Sequence, residues 1–172
     1  MTNLKHYFRK FGSTSRSPLL INVRQAWWAF VGGAIAILAL EALSASMDAV
    51  LLMAPFGASC VLAFALPEAP LSQPRNIIGG HVITTLCGLF ISHLFGYTIW
   101  SLALGVGIGI AAMMLTKTTH PPAGANPIIV ITAASSWSFL FTPVLAGAIV
   151  IVCITLLYNN LFAHKKYPTF WV

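Results

Sequence analysis

The sequence predicts an all-α protein, a polytopic bundle of about six membrane-spanning helices. Of its 172 residues, 58% are hydrophobic and only 7% are charged, and the mean hydropathy is +0.87. A soluble domain carries about 25% charged residues, so these few charges cannot cover a water-facing surface. The hydrophobic residues also fall in long runs, and a spanning helix needs about 20 of them. This composition excludes a soluble enzyme, a disordered chain and a nucleic-acid-binding domain.

Six apolar runs account for the predicted spans. The fifth run is short, opens in a proline-rich stretch and ends in Ser-Ser-Trp-Ser, so a re-entrant loop is the alternative at that point. Three cysteines lie scattered inside the runs, which indicates neither a disulfide framework nor a metal site. The predicted spans cover residues 26–45, 49–66, 77–96, 98–116, 122–136 and 141–162.

The basic residues indicate how the chain is oriented. All nine Lys and Arg residues flank apolar runs rather than forming a nucleic-acid patch, although the net charge is +6. With the N-terminus in the cytoplasm, six crossings place all nine on the cytoplasmic side, as the positive-inside rule requires. A re-entrant fifth segment would instead put Lys165 and Lys166 outside. Tyr158 and Tyr167, near run ends, are typical of interfacial aromatic residues. We therefore expect a bacterial inner-membrane protein with both termini cytoplasmic.

The predicted organisation has three parts. Residues 1–24 form a cytoplasmic lead, in which residues 7–11 are either a short amphipathic piece on the anionic leaflet or part of a disordered tail. Residues 25–163 form the transmembrane domain, and residues 164–172 form a cytoplasmic tail. In the fourth span, Gly105 and Gly109 have the spacing of close helix packing.

A short motif occurs twice in the transmembrane domain. Residues 55–59 read Pro-Phe-Gly-Ala-Ser, and residues 122–126, found 67 positions later, read Pro-Ala-Gly-Ala-Asn. Gly80 and Gly147 match at the same offset. Each motif opens the middle span of a three-span half, over about 25–96 and 97–163. Because each half crosses an odd number of times, the two halves are predicted to be inverted repeats, as in many transporters.

The chemistry of the motif favours an anion site. Proline is tolerated at a helix start, glycine permits close approach, and free N–H groups at a helix N-terminus attract anions. If both starts reach the midplane, two half-helix N-termini face a common cavity. The alternative is that these are ordinary Pro/Gly helix starts that aid packing. The candidate substrate-binding residues are Pro55, Gly57, Ala58, Ser59, Pro122, Gly124, Ala125 and Asn126.

The sequence around the second motif resembles a known family. Residues 119–127, Thr-His-Pro-Pro-Ala-Gly-Ala-Asn-Pro, are similar to the signature of the HPP family of integral membrane proteins. The similarity extends to residues 55–59, to residues 73–76 and to the Gly-Gly-His of residues 79–81, and it covers about residues 27–161. Plastid and cyanobacterial relatives are associated with nitrite transport, so the resemblance implies an anion transporter or channel.

Two histidines and a group of polar residues complete the candidate site. His120 can gate the substrate or couple protons, since it titrates near neutrality, or it can cap the fifth span. His81 can face the cavity or hydrogen-bond a neighbouring helix. Ser59 and Asn126 can bond an oxyanion or a backbone group of another helix. The candidate entrance residues are Arg75, Asn76, Lys117 and Thr119.

These observations predict a channel or secondary transporter for a small monovalent inorganic anion, with nitrite the first candidate. The rival functions are a carrier for a neutral or cationic solute and a membrane scaffold or accessory subunit without transport activity. No motif indicates ATP binding, a hydrolase site, a cofactor or a metal, so we expect no enzymatic activity. The expected partners are the anion, the lipid bilayer and further copies of the chain, because six short spans bury little surface.

Overall fold

The computed structural model describes residues 4–18, 20–161 and 166–171, and every regular element within them is helical. The predicted all-α class is thus confirmed for this part of the chain. The α-helices are α1 Leu4–Arg9, α2 Val23–Met47, α3 Ala54–Cys60, α4 Pro74–Phe95, α5 Ile99–Leu115, α6 Asn126–Thr132 and α7 Ala146–Asn159. Shorter helical turns adjoin four of them: Val61–Ala65 continues α3, Pro70–Ser72 precedes α4, Pro121–Ala125 leads into α6, and Trp137–Leu140 with Phe141–Leu145 leads into α7.

Three helices are long and apolar enough to cross a membrane. They are α2, α4 and the combined helix Trp137–Asn159, whose most apolar windows have mean hydropathies of 1.8, 1.6 and 2.6. They coincide with the first, third and sixth predicted spans. The chain is therefore a membrane protein with transmembrane helices. Residues 162–165 lie outside the described residues. They contain the predicted end of the sixth span, the predicted start of the tail and Lys165.

The second and fifth predicted spans are helical only in part. The helix over Ala54–Ala65 is about 18 Å long, against about 30 Å for the hydrocarbon core. The predicted helix over 49–66 is wrong for residues 49–53, which lead into α3 without helical structure. Met53, the last of them, is extended, with φ −139° and ψ 151°. The predicted helix over 122–136 is wrong for residues 133–136, because the chain turns at Ala134, where φ is +45°.

Extended backbone precedes the second short helix as well as the first. His120 has φ −140° and ψ 99°, because the ring of a following proline, here Pro121, disfavours the helical region for the residue before it. The helical turns then begin at Pro121 and continue through α6 to Thr132. Met53 and His120 are 67 positions apart, so the backbone changes from extended to helical at corresponding points of the two motifs.

Contacts place four of the basic residues, Arg24, Arg75, Lys117 and Lys166, at one end of the bundle. Arg24 is followed by Gln25, whose side-chain amide donates to the Ala65 carbonyl at 2.7 Å. Arg75 Nη2 donates to the Thr116 carbonyl at 2.9 Å, and Thr116 is followed by Lys117. Tyr167, next to Lys166, donates to the Ser72 carbonyl. We call this the basic end. The opposite, or far, end is marked by the edge-to-face contact of Phe90 with Trp137.

Close packing around α4 places the second motif in the middle of the bundle. A Cβ at Gly88 would lie 2.8 Å from the Pro127 Cα, so α4 and α6 touch through backbone. On α5, a Cβ at Gly105 would lie 2.8 Å from Ile131 Cδ1 and one at Gly109 3.4 Å from Thr84 Cγ2. The packing predicted for Gly105 and Gly109 is confirmed. Because Gly88 lies beyond the midpoint of α4, the start of α6 lies well inside the bundle.

Two further glycines make contacts that are related by the offset between the motifs. A Cβ at Gly80 would lie 2.9 Å from the Thr118 carbonyl oxygen, and one at Gly147 would lie 2.8 Å from the Leu51 carbonyl oxygen. Gly147 corresponds to Gly80, and Thr118 corresponds to Leu51, at the same spacing of 67 positions. Each half of the chain therefore contacts the extended connector of the other half through the same position.

The apolar core lies where α2, α3 and α7 meet. Phe56, Phe64 and Ile151 are fully buried there. Tyr158, expected at the membrane interface, is instead buried and donates its phenol hydrogen to the Trp28 carbonyl at 2.9 Å. The sequence prediction was wrong for Tyr158 because the chain folds α7 onto the start of α2, which covers the ring.

Candidate functional site

Two histidines and both motifs meet in the centre of the bundle. His81 lies about two turns into α4, Ser59 lies in α3, and His120 immediately precedes the first turn of the Pro-Pro segment. Asn126 opens α6. All four side chains have 0% exposure. The structure therefore brings together four of the residues that the sequence singled out, two from each half.

A continuous chain of hydrogen bonds joins these side chains. Ser59 Oγ lies 2.8 Å from His81 Nε2 and 2.8 Å from His120 Nε2. His120 Nδ1 lies 2.8 Å from the Leu71 carbonyl oxygen, and Asn126 Nδ2 lies 3.0 Å from His81 Nδ1. We call this set the histidine chain: Asn126, His81, Ser59, His120 and the carbonyl of Leu71.

The partners assign a direction to the histidine chain. A carbonyl can only accept, so His120 Nδ1 carries a hydrogen and donates it to Leu71. The neutral ring of His120 then accepts at Nε2 from the Ser59 hydroxyl. Ser59 in turn accepts from His81 Nε2–H, and His81 Nδ1 accepts from the Asn126 amide. With both rings neutral, the donors run from Asn126 towards Leu71, and the Ser59 hydroxyl has the Pro55 carbonyl oxygen at 3.2 Å as a second acceptor.

Further contacts hold Asn126 and His81 in place. Asn126 Nδ2 lies 2.9 Å from Thr85 Oγ1 and 3.1 Å from the His81 carbonyl oxygen. The ring of Phe56 packs edge-on against the His81 ring at 5.0 Å between centroids. Thr85 was not a candidate from the sequence, although its position one turn after His81 on the same helix face is a signal that points to it.

The cap expected as the alternative role of His120 is not formed, since its side chain makes no capping hydrogen bond to the turn that follows. The sequence placed His120 at the edge of its span, whereas the structure buries it. The reason is that residues 118–120 pass directly over α4, where a Cβ at Gly80 would lie 2.7 Å from the His120 Cβ.

The four entrance candidates lie at the basic end. Arg75 Nη2 donates to the Thr116 carbonyl at 2.9 Å, and Asn76 Nδ2 donates to the Thr119 carbonyl at 2.9 Å. Lys117 is exposed and has φ +56°, which marks the turn between α5 and the extended connector. These residues tie the start of α4 to the connector that carries His120.

The remaining motif residues divide by exposure. Pro55 and Pro122 are buried, and Gly124 and Ala125 are partly buried. Gly57 and Ala58 are exposed, and Gly57 borders an apolar groove of ≈ 600 Å³ lined mainly by residues of α2 and α3. Gly57 precedes Ser59 by two residues, so it faces a different side of α3 from the histidine chain. The structure thus joins Ser59 and Asn126 but leaves Gly57 outside their cluster.

The described residues hold no group of three or more His, Cys, Asp or Glu side chains that a metal ion would need. At the centre, two imidazoles and a hydroxyl can form hydrogen bonds and pass protons to one another.

Comparison with known proteins gives a family and two relatives. The family model described as "HPP, transmembrane region" matches residues 18–168. Two transmembrane proteins of Dictyostelium discoideum are each 33% identical to this chain, over 177 and 181 residues, and each alignment covers 96% of it. The chain spans 57% and 63% of the length of these relatives. No solved structure matches the chain.

Proposed function

The chain belongs to the HPP family of transmembrane proteins, and from that premise we propose that it is a secondary transporter that carries a small monovalent anion together with a proton. The observation that supports this function is the histidine chain, in which Ser59 Oγ lies 2.8 Å from the Nε2 atoms of both His81 and His120. Nitrite is the first candidate substrate, on the resemblance to relatives associated with its transport.

The proposed membrane topology has six crossings in two inverted halves. An extended connector of five residues spans about 16 Å and a helix of twelve residues about 18 Å, so residues 49–65 together match the bilayer core. Residues 118–132 have a related construction, with extended residues 118–120 after the turn at Lys117 and helical turns from Pro121 to Thr132. The paired contacts of Gly80 with Thr118 and of Gly147 with Leu51 support the inverted repeat, because a two-fold relation makes each contact occur twice.

The proposed orientation puts the basic end in the cytoplasm. Arg24, Arg75, Lys117 and Lys166 lie there, and basic residues favour the cytoplasmic side. The start of α4 and the connector before His120 then face the cytoplasm. The relatives come from a eukaryote, so the family is not confined to bacterial membranes.

Proton movement along the histidine chain requires the Asn126 amide to turn, so that its oxygen, 3.3 Å from His81 Nδ1, replaces the NH2 group at that nitrogen once it is protonated. A proton arriving at His81 Nδ1 releases the Nε2 proton of the same ring to Ser59, and the Ser59 hydroxyl proton passes to His120 Nε2. His120 is then a cation with both nitrogens protonated, while His81 and Ser59 are neutral again. The chain has gained one proton and no bond other than N–H or O–H has changed.

The positive charge on His120 is costly inside the membrane, and this cost explains why an anion would move together with the proton. An isolated cation in the middle of a bilayer is expensive, and an opposite charge beside it reduces the cost. The starts of α3 and of the Pro121–Ala125 turn lie against one another, and each contributes the partial positive charge at the N-terminal end of a helix dipole. Pro121 and Pro122 have no N–H group, and the Phe56 and Ala123 N–H groups donate to the Met53 and His120 carbonyls. A monovalent anion at these starts balances the proton, so that the transported pair carries no net charge.

Uptake into proteoliposomes tests this function. We expect nitrite uptake when the outside is acidified, and expect it to be unchanged when a potassium diffusion potential is imposed. His120→Gln protein should lose the response to the pH gradient. His93→Gln is the matched control, because His93 lies exposed near the end of α4. Uptake that follows the potential and ignores the pH gradient would support a channel instead. No uptake of any small anion would leave the scaffold function as the account to pursue.

A further inference from the structure

A segment after the last helix folds back onto the basic end. Tyr167 is only 3% exposed, and its phenol donates to the Ser72 carbonyl at 2.7 Å. The Tyr167 N–H donates to Asn160 Oδ1 at 3.0 Å, and the Asn160 amide donates to the Tyr167 carbonyl. We call residues 166–171 the strap. The sequence predicted an interfacial tyrosine at this position, and that prediction was wrong because the loop before α4 covers the ring.

The strap also holds the loop before α4 through Gln73. The Thr169 N–H donates to Gln73 Oε1 at 2.8 Å, and Gln73 Nε2 lies 2.9 Å from the carbonyl oxygens of both Pro67 and Ala69. Gln73 is fully buried. One side chain thus connects the strap to the whole loop of residues 67–73, which runs from the end of the α3 helix to the start of α4.

The same loop carries the end of the histidine chain. The Leu71 carbonyl accepts from His120 Nδ1 at 2.8 Å, and the next carbonyl, that of Ser72, accepts from Tyr167. The loop is therefore held between His120 on one side and the strap on the other. A carbonyl oxygen accepts a hydrogen bond but does not take the proton away, so the proton on His120 Nδ1 has no onward acceptor while Leu71 stays in place.

We propose that the strap is the basic-end gate of the transporter, and that its release moves the loop of residues 67–73 away from His120 and opens the site to water. This inference rests on the proposed function, because the gate regulates the same histidine chain. With the loop displaced, water replaces Leu71 at Nδ1, accepts the proton and lets it leave. The strap and the bulk of the bundle meet through a few hydrogen bonds and one buried ring, so the contact can open without unfolding the helices.

Chemical modification of His120 tests the gate without relying on transport. Diethyl pyrocarbonate reacts with accessible neutral imidazoles, and mass spectrometry assigns the modified residue. The purified full chain in detergent should show slow modification of His120. Tyr167→Phe removes the bond to Ser72 and should speed that modification about fivefold, the effect of one lost hydrogen bond. Tyr97→Phe, at an exposed position after α4, is the matched control and should change nothing.

Two further measurements distinguish a failure of the proposed gate from a failure of the proposed transport function. Thr169→Pro removes the N–H that bonds Gln73, and should also expose His120 while the melting temperature stays within the range of the control. The exposed His6 gives the reference rate of modification. An unchanged His120 rate in both strap variants would overturn the gate, even if nitrite uptake is intact. A raised rate in vesicles that transport no anion would keep the gate and reject the proposed function.

Discussion

His81 and His120 lie with their ring centroids 5.1 Å apart and their planes at 65°, and the hydroxyl of Ser59 bridges their Nε2 atoms. Neither ring is exposed. The two residues come from different halves of the chain and are joined by a residue of the first motif.

Removing the bridging hydroxyl should destabilise the fold. Ser59→Ala leaves His81 Nε2–H and His120 Nε2 without their partner in a fully buried place, at a cost of about 1–3 kcal/mol. Thermal unfolding in detergent should therefore give a lower melting temperature. Ser46→Ala, at an exposed position near the end of α2, should change stability by less than about 0.5 kcal/mol. Equal melting temperatures for the two variants would contradict a structural role for the bridge.

Glycine substitutions should separate packed positions from open ones. A Cβ at Gly80 meets the His120 Cβ at 2.7 Å and the Thr118 carbonyl oxygen at 2.9 Å, whereas one at Gly107 meets no atom within 4 Å. Both glycines lie within long helices, so alanine improves the intrinsic helix propensity of each by about 1 kcal/mol. Gly107→Ala should be neutral or stabilising, and Gly80→Ala should destabilise.

The second contact of the pair gives an independent check. Gly147→Ala places a Cβ against Phe56 and 2.8 Å from the Leu51 carbonyl oxygen. It should destabilise the protein about as much as Gly80→Ala does. A tolerant Gly147→Ala variant beside an intolerant Gly80→Ala variant would count against equivalent roles of the two positions.

Leucine at the two motif glycines should give different results, although the sequence places both in the substrate site. Gly57 borders the groove beside α2, away from the histidine chain. Gly124 lies in the turn between His120 and Asn126. Neither position has an atom within 4 Å of a built Cβ. Both variants should assemble, but only Gly124→Leu should block anion uptake. Block by Gly57→Leu alone would place the path in the groove.

The strap should lose stability at high pH. Burial raises the pKa of the Tyr167 phenol above its ordinary value of about 10, so the folded chain holds this proton more tightly than the unfolded chain. The stability contributed by the neutral phenol is complete below pH of about 10 and falls as the pH rises above it. The difference in melting temperature between the natural chain and Tyr167→Phe should therefore be constant below about pH 10 and shrink as the pH is raised above it. A constant difference would show that the phenol is not buried in solution.

The sequence predicted the candidate site better than it predicted the helices around it. Ser59, His81, His120 and Asn126 were singled out from motif chemistry and from the cost of polar groups in a membrane. Whether His81 and His120 met each other was not predictable, because hydrophobic runs set the spans but not the way one span passes another. The approach of the His120 connector to Gly80 is a tertiary contact that no local pattern encodes.

The strap is the largest feature that the sequence did not predict, because it depends on contacts between positions that are far apart in the chain. Tyr167 bonds Ser72 across 95 positions and Thr169 bonds Gln73 across 96. A tyrosine next to lysines after an apolar run has the pattern of an interfacial anchor, and that pattern is the same whether the ring meets lipid or a protein loop. Gln73 was noted only as part of the family-like motif. Its role in holding the loop follows from its burial.

The ratio of protons to anions moved tests the central claim most directly. Proteoliposomes containing a pH-sensitive dye should report proton entry while nitrite uptake is assayed in the same sample. For the natural chain we predict one proton for each nitrite, and we predict that Ser59→Ala lowers proton-driven uptake while Ser46→Ala does not. Nitrite entry without protons, or equal coupling in Ser59→Ala, would contradict proton transfer through Ser59 between His81 and His120.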